Sequence, residues 1–169
     1  MKNIILIGFM ACGKSSVGRR LSQALDFDFL DTDELIVQKA GTTISDIFAS
    51  QGEAAFRAME TECLKDLLGR ESKTFVLSVG GGLPIREENR KLLLQIGHVV
   101  YLKASPEVIY KRLHNDKTRP LLQGMNPRGR IMDLMNARKN YYEDAAEYII
   151  HVDDREFSDI IEEIKEKCQ

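Results

Sequence analysis

Near the N-terminus, Gly8-Phe9-Met10-Ala11-Cys12-Gly13-Lys14-Ser15 has the residue types and spacing, G-x-x-x-x-G-K-S/T, that hold a nucleotide by its phosphates. Glycine lets the backbone curl until successive N–H groups point at phosphate oxygens, and a helix starting behind the loop adds the positive end of its dipole. Lys14 then reaches the β- and γ-phosphates, and Ser15 ligates Mg²⁺. The pattern carries weight only between a strand and a helix. Both are expected here: Ile4-Ile5-Leu6-Ile7 is a continuous apolar run, as in a strand covered on both faces, and Val17, Leu21, Ala24 and Leu25 form one helical stripe.

Three further groupings could carry chemistry. Asp31-Thr32-Asp33 closes a second expected strand, and in an open α/β sheet ligands gather at the carboxyl ends of strands. One carboxylate could organise a metal shell while the other accepts a hydrogen bond, or the proton, from an attacking hydroxyl; a turn or a helix cap is the structural alternative. Arg57 and Glu60 share a helical face, either as a surface ion pair of little weight or as a guanidinium fork offered to a carboxylate and held by Glu60. Gly80-Gly81-Gly82 follows the third expected strand, where three glycines cost folding entropy and imply a close backbone approach, unless they form a plain flexible turn.

The elements that must position these groups follow from periodicity. Strand-like runs alternate with amphipathic segments, the pattern of an α/β domain with a parallel sheet. The expected strands are Ile4 to Ile7, Phe27 to Leu30, Thr74 to Val79, Val99 to Leu102 and Tyr148 to Val152. From Asp31 to about Leu68 only helices are expected, with Gly41 and Gly52 as separators and Thr43 as a cap, so this stretch reads as a helical insertion. A helix is expected from about Arg86 to Gln95, and Ser105-Pro106-Glu107 starts another, with Val108, Ile109 and Leu113 on its apolar face. His114 to Gly129 reads as a mobile loop, followed by a long helix to about Ala146 and a last one with Phe157, Ile160, Ile161 and Ile164 on one face.

The bulk composition excludes several classes of function. A chain of 169 residues supports one domain, and 43% hydrophobic with 30% charged residues is ordinary globular composition. A net charge of −2 provides no basic field for nucleic acid or a membrane surface. Cys12, Cys63 and Cys168 are odd in number and far apart, and His98, His114 and His151 lack metal-ligand spacing, which fits a reduced cytoplasmic setting. Lys2 before the run Ile4 to Cys12 has the outline of a secretory signal, but Gly13-Lys14-Ser15 interrupts it and no cleavage site follows. No apolar run approaches the roughly 20 residues that span a bilayer.

Taken in order, Gly8 to Ser15, Asp31-Thr32-Asp33, Phe56-Arg57-Ala58-Met59-Glu60, Gly80-Gly81-Gly82, Arg119-Pro120-Leu121-Leu122 and Arg138 with Tyr142 resemble the shikimate kinase family over essentially the whole chain. The resemblance implies a three-layer P-loop NTPase fold like that of nucleoside monophosphate kinases, with a five-stranded parallel sheet, a substrate-binding helical insertion at about 33–61 and a mobile lid at about 114–127. It implies transfer of the γ-phosphoryl of Mg-ATP to the 3-hydroxyl of shikimate by a cytoplasmic monomer. Lys14, Asp33 and Arg119 would be catalytic. Ala11, Cys12, Gly13, Lys14, Ser15, Ser16, Arg119 and Arg155 would hold ATP. Asp33, Arg57, Gly80, Gly81, Gly82 and Arg138 would bind shikimate, and Ser15 with Asp31 in the outer shell would serve Mg²⁺.

Two departures from the family pattern carry expectations. Ala11 stands where glycine is usual, so a negative φ is expected there. Asn140 stands where proline is common, which bears on where the long helix ends. Cys12 lies beside a helix N-terminus, the placement of a redox-sensitive thiol, but reads as a tolerated spacer. The competing functions are a kinase for gluconate or a nucleoside monophosphate, a small GTPase-like module, which lacks its N-K-x-D signature here, and a substrate-binding relative without turnover.

Overall fold

The structure, a computed structural model, describes residues 1–114 and 126–169. Its frame is one sheet of five parallel strands: β1 (Asn3–Ile7), β2 (Asp28–Asp31), β3 (Phe75–Ser78), β4 (Gly97–Lys103) and β5 (Tyr148–His151), in the order β2-β3-β1-β4-β5. Ile4, Ile5, Leu6 and Ile7 are completely buried, which requires cover on both faces and suits the central strand. The register pairs Ile4 with Val76 on one side and with His98 on the other. Phe29 pairs with Val76, so the chain ends of β1, β2 and β3 emerge side by side.

The helices are α1 (Lys14–Leu25), α2 (Thr32–Ala40), α3 (Ile44–Gln51), α4 (Glu53–Leu68), α5 (Glu87–Ile96), α6 (Pro106–Leu113), α7 (Pro127–Ala145) and α8 (Phe157–Lys167). α2 to α4 follow one another with no strand between them, and Thr43 caps α3 by accepting from the Asp46 N–H. Asp31 caps α2: its side chain accepts from the N–H groups of Asp33 and Glu34, a contact worth about 1 kcal/mol at a helix start. Ser105 caps α6 with Pro106 in its first turn.

The strand boundaries shift by one or two residues from the sequence reading, and β2 takes in Asp31 by pairing with Ser78. A short 3₁₀ turn, Leu83–Ile85, was not foreseen; it closes through bonds from Leu83 to the Gly80 carbonyl and from Ile85 to the Gly82 carbonyl. α7 runs through Asn140 to Ala145, because asparagine keeps the N–H that proline would remove. Phe157 is 40% exposed, since it is the first residue of α8; the Arg20 guanidinium stacks 4.3 Å over its ring. The expected lid falls almost wholly on 115–125, outside the described residues. No described helix is long and apolar enough to cross a membrane.

Candidate active site

Three chain segments meet where β1, β2 and β3 end. The first is the loop from β1 to α1. A β-carbon on Gly8 would stand 2.7 Å from both Cys12 Sγ and the Leu102 carbonyl oxygen, and Gly8 has φ +152°, so only glycine fits. Gly13, at φ +100°, leads directly into α1. Ala11 contradicts the expectation of a negative φ: it sits at +62°, in the left-handed region, at a cost of about 1–2 kcal/mol. The restraint is visible, since Arg112 of α6 donates to the Ala11 carbonyl at 2.7 Å and holds that peptide in place. Arg112 was not singled out from the sequence, because nothing local links residues 101 positions apart.

The Lys14 ammonium docks on the carbonyls of Gly8 and Phe9 at 2.8 and 3.0 Å, above the same loop. Cys12 is buried, with its sulfur 3.9 Å from Lys14 Nζ. Ser15 and Ser16 are exposed at the helix start, and the Ser15 hydroxyl donates to Asp31 Oδ2 at 3.4 Å. A hydroxyl and a carboxylate oxygen this close are the hard donors that Mg²⁺ prefers, with phosphate and water oxygens completing its shell. The described residues contain no cluster of three His, Cys, Asp or Glu side chains able to hold a metal without such help.

The second segment is the start of α2 together with α4. Arg57 donates to Glu60 Oε1 at 2.8 Å and to Glu53 Oε1 at 3.3 Å. The Glu60 side chain is fully buried, so the surface-pair alternative is wrong for this contact. Its second oxygen, Oε2, is buried without a hydrogen bond. Burial pushes the Glu60 carboxyl above its ordinary range, while the Arg57 guanidinium pulls it down and the Asp33 charge raises it further. Burial also works against the charge on Arg57, but its bonds to Glu60 and Glu53 outweigh that and hold it above its ordinary value.

The third segment, Gly80-Gly81-Gly82, lies between the other two. A β-carbon on Gly80 would stand 3.0 Å from Glu60 Oε2 and 3.1 Å from Asp33 Oδ1. On Gly81 it would stand 3.4 Å from Arg138 Nη1 and 3.6 Å from the Met10 nitrogen of the phosphate loop. On Gly82 it would stand 2.6 Å from both terminal nitrogens of Arg57. Arg138 is buried on α7, 5.8 Å from the centre of the Phe9 ring. Behind the triplet a chain of hydrogen bonds, buried beyond its first link, joins three elements: Arg86 to Thr61, Thr61 to Asn89 and Asn89 to the Leu83 carbonyl, at 3.0, 2.7 and 2.9 Å.

Asp33, Glu60, Arg57, Arg138 and the Met10 nitrogen of the phosphate loop are therefore all neighbours of the glycine triplet, and Lys14 lies on the same phosphate loop, docked on the Gly8 and Phe9 carbonyls. Arg155 is elsewhere: it pairs with Glu163 at 2.6 Å and donates to the His151 and Asp159 carbonyls, at the junction of β5 and α8. Arg119 lies outside the described residues.

A phosphate loop on a parallel five-stranded sheet, facing a small polar socket, defines a P-loop kinase of small molecules. A sequence profile described as shikimate kinase matches residues 10–169. A shikimate kinase from Symbiobacterium thermophilum is 41% identical over 169 residues, covering 99% of this chain and 96% of that one. One from Enterococcus faecalis is 41% identical over 171 residues, covering 100% and 99%. The solved structure of the Acinetobacter baumannii shikimate kinase in complex with shikimate superposes with a TM-score of 0.91 at 40% identity, covering 99% of this chain and 92% of that one. The chain belongs to the shikimate kinase family, a family of ATP-dependent kinases.

Proposed function

We propose that the chain carries out its family's reaction, moving the γ-phosphoryl of ATP onto the 3-hydroxyl of shikimate to give shikimate 3-phosphate and ADP. The observation that carries this reading is the glycine triplet, flanked by the Met10 nitrogen of the phosphate loop on one side and by Arg57 and Asp33 on the other. A carboxylate-bearing polyol suits that socket, because two guanidiniums match a carboxylate while Asp33 and the backbone address hydroxyls.

In this reading the loop amides from Ala11 to Ser16 hold the phosphates, and Lys14 turns from the Gly8 and Phe9 carbonyls toward the β- and γ-phosphates. Arg57 and Arg138 clasp the shikimate carboxylate, with Glu60 holding Arg57 in place. Gly80, Gly81 and Gly82 allow the backbone to approach the ring. Asp33 orients the 3-hydroxyl in line with the γ-phosphorus and accepts its proton as the new P–O bond forms. Mg²⁺, held by Ser15 and by Asp31 from its outer shell, would draw negative charge off the transferring group. Arg112, fixed on the phosphate loop, and Arg119 add positive charge on the nucleotide side, whereas Arg155 contributes through the β5–α8 junction. The helices α2 to α4 act as the acceptor-binding insertion and 114–127 as the lid. The enzyme works as a cytoplasmic monomer without nucleic acid or membrane partners.

A coupled ADP-release assay with shikimate, gluconate and nucleoside monophosphates in parallel tests the reading. Turnover with shikimate alone is expected. Turnover confined to gluconate or a nucleotide would overturn it.

A further inference from the structure

The polar groups along Gly80-Gly81-Gly82 are anchored unevenly. The Gly80 N–H donates to Thr32 Oγ1 at 3.1 Å, and its carbonyl accepts from Leu83 N–H at 3.1 Å. The Gly81 carbonyl accepts from the Tyr142 hydroxyl at 2.6 Å, and the Gly82 carbonyl accepts from Ile85 N–H at 3.2 Å. Among the described residues, the N–H groups of Gly81 and Gly82 make no hydrogen bond.

In a trans peptide the C=O and the following N–H point in opposite directions, and there is no cis peptide in the described chain. Tyr142 therefore fixes the direction of the Gly82 N–H by gripping the Gly81 carbonyl. Thr32, by accepting from the Gly80 N–H, instead fixes the preceding Val79–Gly80 peptide, while the Gly81 N–H is aimed by the bond from Leu83 to the Gly80 carbonyl. Thr32 is also the first residue of α2, so its bond sets the separation between the triplet and the neighbouring Asp33. Tyr142 sits one helical turn beyond Arg138 on α7, so the same helix that presents the arginine also aims the peptide beside it. Both hydroxyl-bearing side chains are sealed from solvent, with Thr32 at 0% and Tyr142 at 1% exposure. Burial pushes the Tyr142 hydroxyl well above its ordinary range, which keeps it a donor throughout the working pH range.

We propose that Thr32 and Tyr142 are positioning residues for the acceptor: Tyr142 aims the Gly82 N–H toward the anionic group held between Arg57 and Arg138, and Thr32 anchors the start of the triplet at a fixed separation from Asp33. The proposal rests on the shikimate reading of the site. It adds two residues that touch neither substrate: Thr32 acts through the Gly80 N–H, and Tyr142 through the Gly81 carbonyl and its hydrogen bond with Arg138.

The test is steady-state kinetics on three variants. Tyr142→Phe removes one oxygen, Thr32→Val removes the acceptor at constant shape, and Thr32→Ser keeps it. Tyr142→Phe and Thr32→Val are each expected to raise KM for shikimate about 5- to 10-fold with KM for ATP unchanged, the scale of one lost buried hydrogen bond. Thr32→Ser restores KM toward the wild-type value. With the carboxamide analogue of shikimate the penalty of Tyr142→Phe shrinks, because the anion it serves is gone. An unchanged shikimate KM, or an equal rise for both substrates, overturns the proposal; should Tyr142→Phe fail to fold, the Thr32 pair decides it. Wild-type enzyme inactive on shikimate would instead sink the functional reading, a separate outcome.

Discussion

Glu60 places one carboxylate oxygen 2.8 Å from Arg57 and buries the other without a hydrogen bond, so a fully sealed acid supports a guanidinium that is 20% exposed. Such a pair contributes little net stability, because desolvation consumes most of its Coulomb gain, but losing one member leaves the other poorly placed. Its consequence is expected mainly in substrate affinity.

Glu60→Gln keeps the shape and removes the charge. KM for shikimate is expected to rise about tenfold, the scale of one charge-assisted hydrogen bond, with KM for ATP unchanged. Stability should also change its pH dependence. Burial raises the Glu60 pKa above the ordinary 4.5, so the folded chain holds this proton more tightly than the unfolded one. The stability this provides is complete below 4.5 and is lost as pH rises through the raised value. Glutamine has no proton to lose, so the stability difference should move in the variant's favour across that window. Urea midpoints measured from pH 4 upward check it, and a difference that stays flat contradicts the assignment.

Asp33→Asn and Lys14→Met separate the two halves of the site. Asp33→Asn should lower kcat by about 10²- to 10⁴-fold, the range for a lost general base, with nucleotide binding retained. Lys14→Met should abolish turnover in a folded protein. Near-normal turnover by either variant in the ADP-release assay would remove the residue from its proposed role.

Gly82→Ala isolates a steric effect. Gly82 has φ −94°, which alanine adopts freely, so no backbone penalty attends the change. Its β-carbon would meet both Arg57 nitrogens at 2.6 Å and push the guanidinium aside. A shikimate KM raised about tenfold with an unaltered melting temperature is expected; a normal KM would show that Arg57 can move without loss.

Ala11→Gly relieves the left-handed φ of +62°. The strain released, about 1–2 kcal/mol, exceeds the added flexibility of the unfolded chain, about 0.5–1 kcal/mol. A net stabilisation of about 0.5–1 kcal/mol is expected by denaturant titration. A destabilised variant would show that Arg112 and the loop, rather than strain, dominate at this position.

The sheet was legible from residue types alone, because Ile4 to Ile7 and Val99 to Leu102 are apolar runs too short for helices and bounded by turn residues. The phosphate loop and the acid, arginine and glycine groupings were equally visible, since each is local in sequence. What stayed hidden depends on distant partners. The left-handed Ala11 needs Arg112 from α6, and Thr32, set between two conspicuous acids, matters only once Gly80 is seen against it. The same reason explains Glu60: a helical i, i+3 pair looks superficial until α2 and the glycine segment close over it.

The hydrogen-bond chain that starts at exposed Arg86 and runs through buried Thr61 and Asn89 to Leu83 ties α4, α5 and the turn after the glycines into one mechanical body. Breaking the Thr61–Asn89 or Asn89–Leu83 link strands a polar group away from water, so these parts open together or not at all. In deuterium-exchange terms, slow amides of α4 and of the turn should share one opening free energy, making the carboxylate-binding wall a rigid reference against which the rest of the molecule breathes.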